Sequence, residues 1–197
     1  MHTVTRLGRN AVEGKPTFPQ KIPRLPAGKY VAKPLHGGSS IGVQYIDHPA
    51  RELKEKLAAV FEYESAAIIE PWVKGKEFTI IVLQNSKGQP VPLLPTEIEL
   101  YGGHAFFDYR RKYLATTETR YHTPARFSSA QIEKIRELAA AAFRCLGMRD
   151  FARLDGWVLE NGEIWFSDIN AISGMEQNSF LFQQGGLLGL SHGQVLE

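Results

Sequence analysis

One cysteine, Cys145, stands among 197 residues. No disulfide can form within such a chain, and the scarcity of thiols favours a reducing compartment. Cys145 falls in a helical pattern and is expected as a small buried hydrophobe. Long apolar runs are missing too. Nothing approaches the roughly 18 consecutive apolar residues of a membrane-spanning helix, and Met1-His2-Thr3-Val4-Thr5-Arg6 lacks an apolar signal region. No membrane partner and a cytoplasmic location are therefore the simplest expectations. Nor does one sign of charge dominate. Twenty-three Lys and Arg face 21 Asp and Glu, a net charge of +2, with the densest basic spot at Arg110-Arg111-Lys112. That balance argues against binding nucleic acid. No internal repeat or low-complexity tract is present.

What is there is ordinary for a globular protein, with 43% apolar and 22% charged residues, enough for one sizeable core or two small lobes. Residues 1–28 are punctuated by Pro16, Pro19, Pro23 and Pro26 and read as a linker, or an arm lying on something else. A small lobe is expected over 29–85 and a larger one over 86–197. Strands are predicted at 30–33, 41–46, 66–70, 77–84, 151–159 and 164–169, with another over 91–100 broken by its prolines. Helices are predicted at 51–63, with Leu53, Leu57, Val60 and Phe61 in a stripe, and from Ser128, whose spacing to Gln131 fits a capping box. Residues 101–125 form a long polar and aromatic loop, a length that in compact domains often marks function. The mixture of helices with hairpins argues for an α+β fold.

The sharpest chemical signal is a hairpin. Asn161-Gly162 predicts a two-residue turn pairing Glu160 with Glu163. Counting along that ladder, Asp155 faces Asp168 and Arg153 faces Asn170, while Trp157 and Leu159 oppose Phe166 and Ile164 as an apolar floor on the same face. Opposed carboxylates repel. Either Arg153 satisfies them on a solvated surface, or a divalent cation sits between them. Asp, Asp and Asn supply hard oxygen donors suited to magnesium, which keeps few protein ligands and completes its shell with water and phosphate. That choice points to a nucleotide.

The stretch "KPLHGGSSIGV", residues 33–43, fits the same ligand. A loop of small residues exposes backbone N–H groups and serine hydroxyls to an anion, and Lys33 brings a point charge to its entry. A plain hairpin turn would read the same way. No Ser-His-Asp set is visible, and His36 and His122 are read as incidental.

Four stretches in order, "VAKPLHGGSSIGV", "IIEPWVKGKEFTI", "FFDYRRKYLATTETRYHTPA" and "ARLDGWVLENGEIWFSDINAISGMEQNS", resemble the ATP-grasp ligases, and within them the D-alanine–D-alanine ligases. The resemblance runs from about residue 29 to 185. It implies two α+β lobes with mostly antiparallel sheets enclosing ATP. Lys33 would reach the phosphates, with Ser39 and Ser40 in the loop that closes over them. Glu70 would accept from the adenine amino group, the Val73 backbone would meet the adenine edge, and Glu77 would hold the ribose hydroxyls. Lys112, in a lid at 101–125, would neutralise phosphate charge, and Tyr113 would position the second substrate. Asp155, Asp168 and Asn170 would bind one or two magnesium ions, with manganese as an alternative. Arg153 and the Gly174 amide would stabilise the oxyanion, and Ser179 would receive the acceptor's carboxylate.

The implied reaction is ATP-dependent carboxylate–amine ligation through an acyl-phosphate, as in peptidoglycan biosynthesis, on a small amino-acid-like substrate. Three departures stand out. The family has a further N-terminal lobe, so this chain is expected to be a fragment, to borrow the lobe from a partner, or to have become a non-catalytic ATP-binding module. Asp168 stands where the dipeptide ligases usually carry glutamate, and "NAISGMEQNS" brings Glu176 near the acceptor carboxylate, which leaves a different amino acid pair open. The family often dimerises.

Overall fold

The computed structural model describes residues 5–8, 10–12, 15–17, 24–36, 38, 40–100 and 119–196. Among these the chain divides into two compact units, the first ending at Val73 and the second beginning at Lys74. The expected boundary after residue 85 differs from this division. Residues 75–84 are a single strand that pairs with its neighbours in the second unit, so the chain changes unit before it.

The first unit carries β1 (Thr5–Gly8), β2 (Asn10–Val12), β3 (Lys15–Thr17), β4 (Tyr30–Pro34), β5 (Gln44–Ile46), α1 (Pro49–Phe61) and β6 (Ala66–Pro71). Its main sheet runs β1-β6-β4-β5 with every neighbour antiparallel, and β2 pairs β3 separately. Helix α1 begins at Pro49, two residues ahead of the predicted start, because proline suits a first helical turn that needs no N–H there. Its stripe of Leu53, Leu57, Val60 and Phe61 packs against Ala32, Ile46, Ala67 and Ile69 as the periodicity requires. Two expectations shift. Thr5–Gly8, placed in an arm or linker, adds a strand to the edge of β6. The strand predicted from Ile41 starts only at Gln44, because Ser40 (φ 60°) and Gly42 (φ 74°) hold left-handed backbone that a ladder cannot use.

The second unit carries β7 (Gly75–Gln84), β8 (Pro90–Pro92), β9 (Thr96–Leu100), β10 (Thr119–His122), α2 (Ser129–Cys145), β11 (Phe151–Leu159), β12 (Ile164–Asn170), α3 (Phe180–Gly186) and α4 (His192–Leu196). The sheet runs β10-β9-β7-β11-β12, with β8 also on β7. Ser128 and Gln131 cap α2 reciprocally, as their spacing predicts. Ile135, Ala139 and Phe143 of α2 cover one sheet face at Phe78, Ile80, Val82, Ala152, Leu154 and Val158. Cys145 contradicts its expectation. It ends α2 exposed, beyond the last turn that touches the sheet. The 101–125 loop yields a strand at 119–122, paired with β9.

The opposite face is partly covered by α3, where Leu181 and Phe182 meet Ile81 and Leu93. Here Pro92 and Pro95 break the strand over 91–100, as expected, since proline donates nothing to a ladder. Gln184 fills the gap. Its fully buried side chain accepts from the Ile81 N–H at 2.9 Å and donates to the Thr79 carbonyl and Thr96 Oγ1, each at 3.1 Å.

The hairpin matches its forecast at one end and corrects it at the other. Arg153 faces Asn170 and Asp155 faces Asp168, as counted from the sequence. Nearer the turn, however, Trp157 faces Trp165 and Val158 faces Ile164. The turn has three residues, because Leu159 donates to the Glu163 carbonyl and Gly162 to the Leu159 carbonyl. A bulge at Ser167 then restores the register between Gly156 and Asp155. Two one-residue offsets cancel at the acidic end. The expected floor of Phe166 and Ile164 is therefore on the wrong face. Both pack toward α2, and Trp165 stands beside Trp157 instead.

Candidate functional site

The uncovered part of the second unit's sheet collects its functional side chains in rows. Strand residues two apart share a face, and directly paired residues share it too. One row runs Tyr121, Ile98, Glu77, Trp157 and Trp165; the next runs Thr96, Thr79, Asp155 and Asp168; the third, Ile81, Arg153 and Asn170. Glu77, Arg153, Asp155, Asp168 and Asn170, five of the residues picked from sequence, are thus neighbours on one face.

Asp155 is the hub. Thr79 Oγ1 donates to its Oδ1 at 2.7 Å, and Arg153 donates to both oxygens, Nε at 3.1 Å and Nη2 at 3.0 Å. Asn170 Nδ2 adds a bond at 3.3 Å. Arginine therefore offsets the repulsion between the opposed acids, one of the two solutions open to the sequence. Asp168 points its carboxylate to solvent. Beside Glu77, burial first and the Glu77 charge second push the Tyr121 phenol above its ordinary value. Tyr121 also meets Phe180 edge to face at 5.2 Å.

These oxygens suit a hard cation. Two carboxylates and an amide on one face match magnesium, which binds through one or two carboxylates and leaves the rest of its shell to water and phosphate. No trio of His, Cys, Asp and Glu converges among the described residues, so the donor set does not suit a closed zinc centre.

Beyond β12 the chain runs through a loop to α3. The Gly174 backbone has the Glu176 carboxylate against it, such that a Cβ there would lie 2.5 Å from Glu176 Oε2. Ser179 donates its N–H to the Glu176 carbonyl at 2.8 Å, yet among the described residues its buried Oγ has no hydrogen-bond partner.

In the first unit, Lys33 and Glu70 are brought together. Lys33 Nζ lies 2.8 Å from Glu70 Oε2, both side chains partly exposed. Ser40 sits in the loop between β4 and β5, and Val73 closes the unit. That loop is anchored by a residue not singled out from the sequence. Glu64 accepts from the His36 N–H at 2.7 Å and bonds His36 Nδ1 at 2.6 Å. The backbone bond from His36, then its ring, hold the Glu64 carboxyl below the usual range. Ser39, Lys112 and Tyr113 lie outside the described residues.

Sequence reasoning also missed Thr79, Trp165 and Gln184. Thr79 was legible as the polar member of the alternation Glu77, Thr79, Ile81. Trp165 was hidden by the three-residue turn, and nothing local marks Gln184, 103 residues from its Ile81 partner. Behind the sheet, a second polar cluster went unnoticed. Arg126 bonds Glu97 through Nε at 3.0 Å and Glu99 through Nη2 at 2.9 Å, and His122 also reaches Glu99.

Residues 20–197 match the family profile described as D-ala D-ala ligase C-terminus. The chain belongs to that family. Among curated relatives, the D-alanine–D-alanine ligase of Pseudoalteromonas translucida is 34% identical over 168 residues, which is 85% of this chain and 52% of the relative. That of Marinobacter nauticus is 35% identical over 83% of this chain and 48% of its own length. The chain thus spans about half the length of these relatives. Of solved structures, the VanG D-Ala:D-Ser ligase from Enterococcus faecalis superposes with a TM-score of 0.73 at 30% identity, over 85% of this chain and 47% of that one. A D-alanine–D-alanine ligase from Bacillus anthracis matches in fold, with a TM-score of 0.73 at 24% identity, over 99% of this chain and 59% of that one. The α+β fold is that of the ATP-grasp ligases, as the four sequence stretches implied.

Proposed function

We propose that this chain is the ATP-binding catalytic portion of an ATP-dependent carboxylate–amine ligase acting through an acyl-phosphate, in the manner of the D-alanine–D-alanine ligases. The observation that carries the reading is the hairpin face, where Arg153, Asp155, Asp168 and Asn170 meet with Glu77 one row away. When bound, magnesium would neutralise phosphate charge, held by Asp155, Asp168 and Asn170. Lys33 would bring a cation to the same phosphates, and Lys112 another. Phosphoryl transfer depends mainly on such positioning and charge neutralisation. Ser39 and Ser40 would donate to phosphate oxygens. Glu70 and Val73 would receive the adenine, and Glu77 the ribose. Arg153 and the Gly174 amide would stabilise the oxyanion that forms as the amine attacks, and Tyr113 and Ser179 would orient that amine's carrier.

The remainder of the relatives' length corresponds to a further lobe, supplied in the same polypeptide or by a partner subunit. The small and large lobes, the lid over 101–125, a cytoplasmic location and a homodimer belong to the same reading. A second reading is an ATP-binding module without catalysis.

Calorimetric titration with a non-hydrolysable ATP analogue separates these readings from none at all. Binding is expected with magnesium, weakened at least tenfold without it, and weakened similarly by Asp168→Ala, since a charged ligand contact contributes about 1.5 kcal/mol or more. Equal affinity in wild type and Asp168→Ala would remove the hairpin from the metal site. Turnover of ATP with an amino acid by the analogue-binding chain would exclude the non-catalytic module.

A further inference from the structure

We infer that Glu64 is a positioning residue for the nucleotide's phosphates: it clamps the entry of the loop between β4 and β5 through His36 and holds that loop in place before ATP arrives. The inference rests on the ligase reading, in which this loop closes over the phosphates, and deepens it.

Both arms of the loop meet one short platform. Tyr63 and Glu64 leave α1 with their N–H groups still bonded to the Val60 carbonyl, at 3.1 and 3.3 Å. Val60 is fully buried in the core of the unit, so packing fixes the platform. On the entry arm, Leu35 donates to the Ala66 carbonyl at 3.0 Å, one step beyond the β4–β6 ladder. At the next residue a side chain takes over. His36 donates its N–H to Glu64 Oε2 at 2.7 Å, and its Nδ1 lies 2.6 Å from Oε1. One carboxylate thus grips one loop residue with both oxygens, and those bonds hold it below its ordinary value of 4.5, so the clamp is charged at neutral pH. On the return arm, a Cβ on Gly42 would lie 2.8 Å from Tyr63 Cδ2 and 3.0 Å from Pro34 Cγ. The left-handed backbone at Ser40 and Gly42 turns the chain back onto that platform.

The clamp contributes little to holding the unit together. The His36 side chain is 76% exposed, and pairs in such places add little to stability. Its effect is local to the loop. Lys33 lies in β4 and is held by the ladder. Ser39 and Ser40 lie past the clamp, and their approach to a phosphate depends on where His36 is held. Ordering a loop costs conformational entropy whenever it happens. A loop already held at both arms spares the ligand part of that cost, and affinity rises accordingly.

The test compares the full chain with Glu64→Ala in two measurements: calorimetric titration with the non-hydrolysable ATP analogue and magnesium, and amide hydrogen exchange without nucleotide. Glu64→Ala is expected to weaken the analogue about fivefold, the effect of an exposed charged contact. It should also speed exchange at the amides of residues 35–43 while those of α1, β4 and β6 keep their wild-type rates. A tie that served only the fold would do the reverse, speeding exchange throughout the unit and leaving the affinity of folded molecules as it was. Unchanged affinity, unchanged exchange in the loop, or faster exchange that spreads into α1, β4 and β6 overturns the inference and leaves the nucleotide site standing. Failure of the analogue to bind the wild-type chain overturns the ligase reading, and this inference with it.

Discussion

Gln184 shows how much one side chain can decide. A glutamine amide carries a donor and an acceptor in one plane, as a peptide group does, so it can stand in for a missing strand. It does so where Pro92 and Pro95 interrupt pairing with β7, meeting the Ile81 N–H, the Thr79 carbonyl and the Thr96 hydroxyl. Gln184→Leu keeps the volume and strands those groups in a buried place. Denaturant titration followed by tryptophan fluorescence should show a loss of about 3 kcal/mol, from two or more unsatisfied groups at roughly 1–3 kcal/mol each. A loss below about 0.5 kcal/mol would mean that water replaces the amide. Because Thr79 also donates to Asp155, the same plug steadies the strand beneath the acidic pair.

At the scale of the element, the β11–β12 hairpin depends on one bulge. Gly156 sits where β12 carries its extra residue, and a Cβ there would fall 2.2 Å from the Trp165 carbonyl oxygen and 3.0 Å from the Phe78 ring. The oxygen belongs to the backbone and cannot step aside. Gly156→Ala should therefore cost about 2 kcal/mol or more through overpacking. It should also reduce magnesium-dependent nucleotide affinity, because relieving the clash slides Asp168 away from Asp155. Stability lost with affinity retained would show that the acidic register does not need the bulge. The turn sequence alone misleads here. Asn161-Gly162 predicts two residues, the chain uses three, and only the bulge brings Asp155 back opposite Asp168.

For the whole molecule, charge pairing sets the response to acid. Glu97 is 2% exposed. Burial by itself would raise its carboxyl, but hydrogen bonds from the Arg126 guanidinium and amide, with the charge of Lys76 and Arg126, outweigh that and hold it below its ordinary value of 4.5. Glu64, bonded to His36, and Asp47, bonded to Lys29, are held low as well. A carboxyl depressed on folding stabilises the protein above its unfolded value, and that contribution disappears as pH falls through the folded value. The melting temperature should accordingly be flat near neutrality and fall below about pH 4.5. Glu97→Gln should melt lower at pH 7 and decline less steeply in acid. A parallel decline in both proteins would assign the acid sensitivity to the other carboxylates.

The sequence by itself determined most of the elements and the members of the site. Leu53, Leu57, Val60 and Phe61 recur at helical spacing, Ser128 and Gln131 mark a cap, and β11 alternates between core and face, because each of these signals is local to a few residues of backbone geometry. Four ordered stretches were enough to suggest the family. Other outcomes belonged to the tertiary structure. The position of Trp165 followed from a three-residue turn, whose offset a bulge at Ser167 then cancels. The exposure of Cys145 followed from where the sheet beneath α2 ends. The bond between Thr79 and Asp155 required a ladder that joins residues 76 apart, and the bond between Gln184 and Ile81 joined residues 103 apart. Contacts of that kind depend on what the rest of the chain brings alongside, and no window of neighbouring residues contains them.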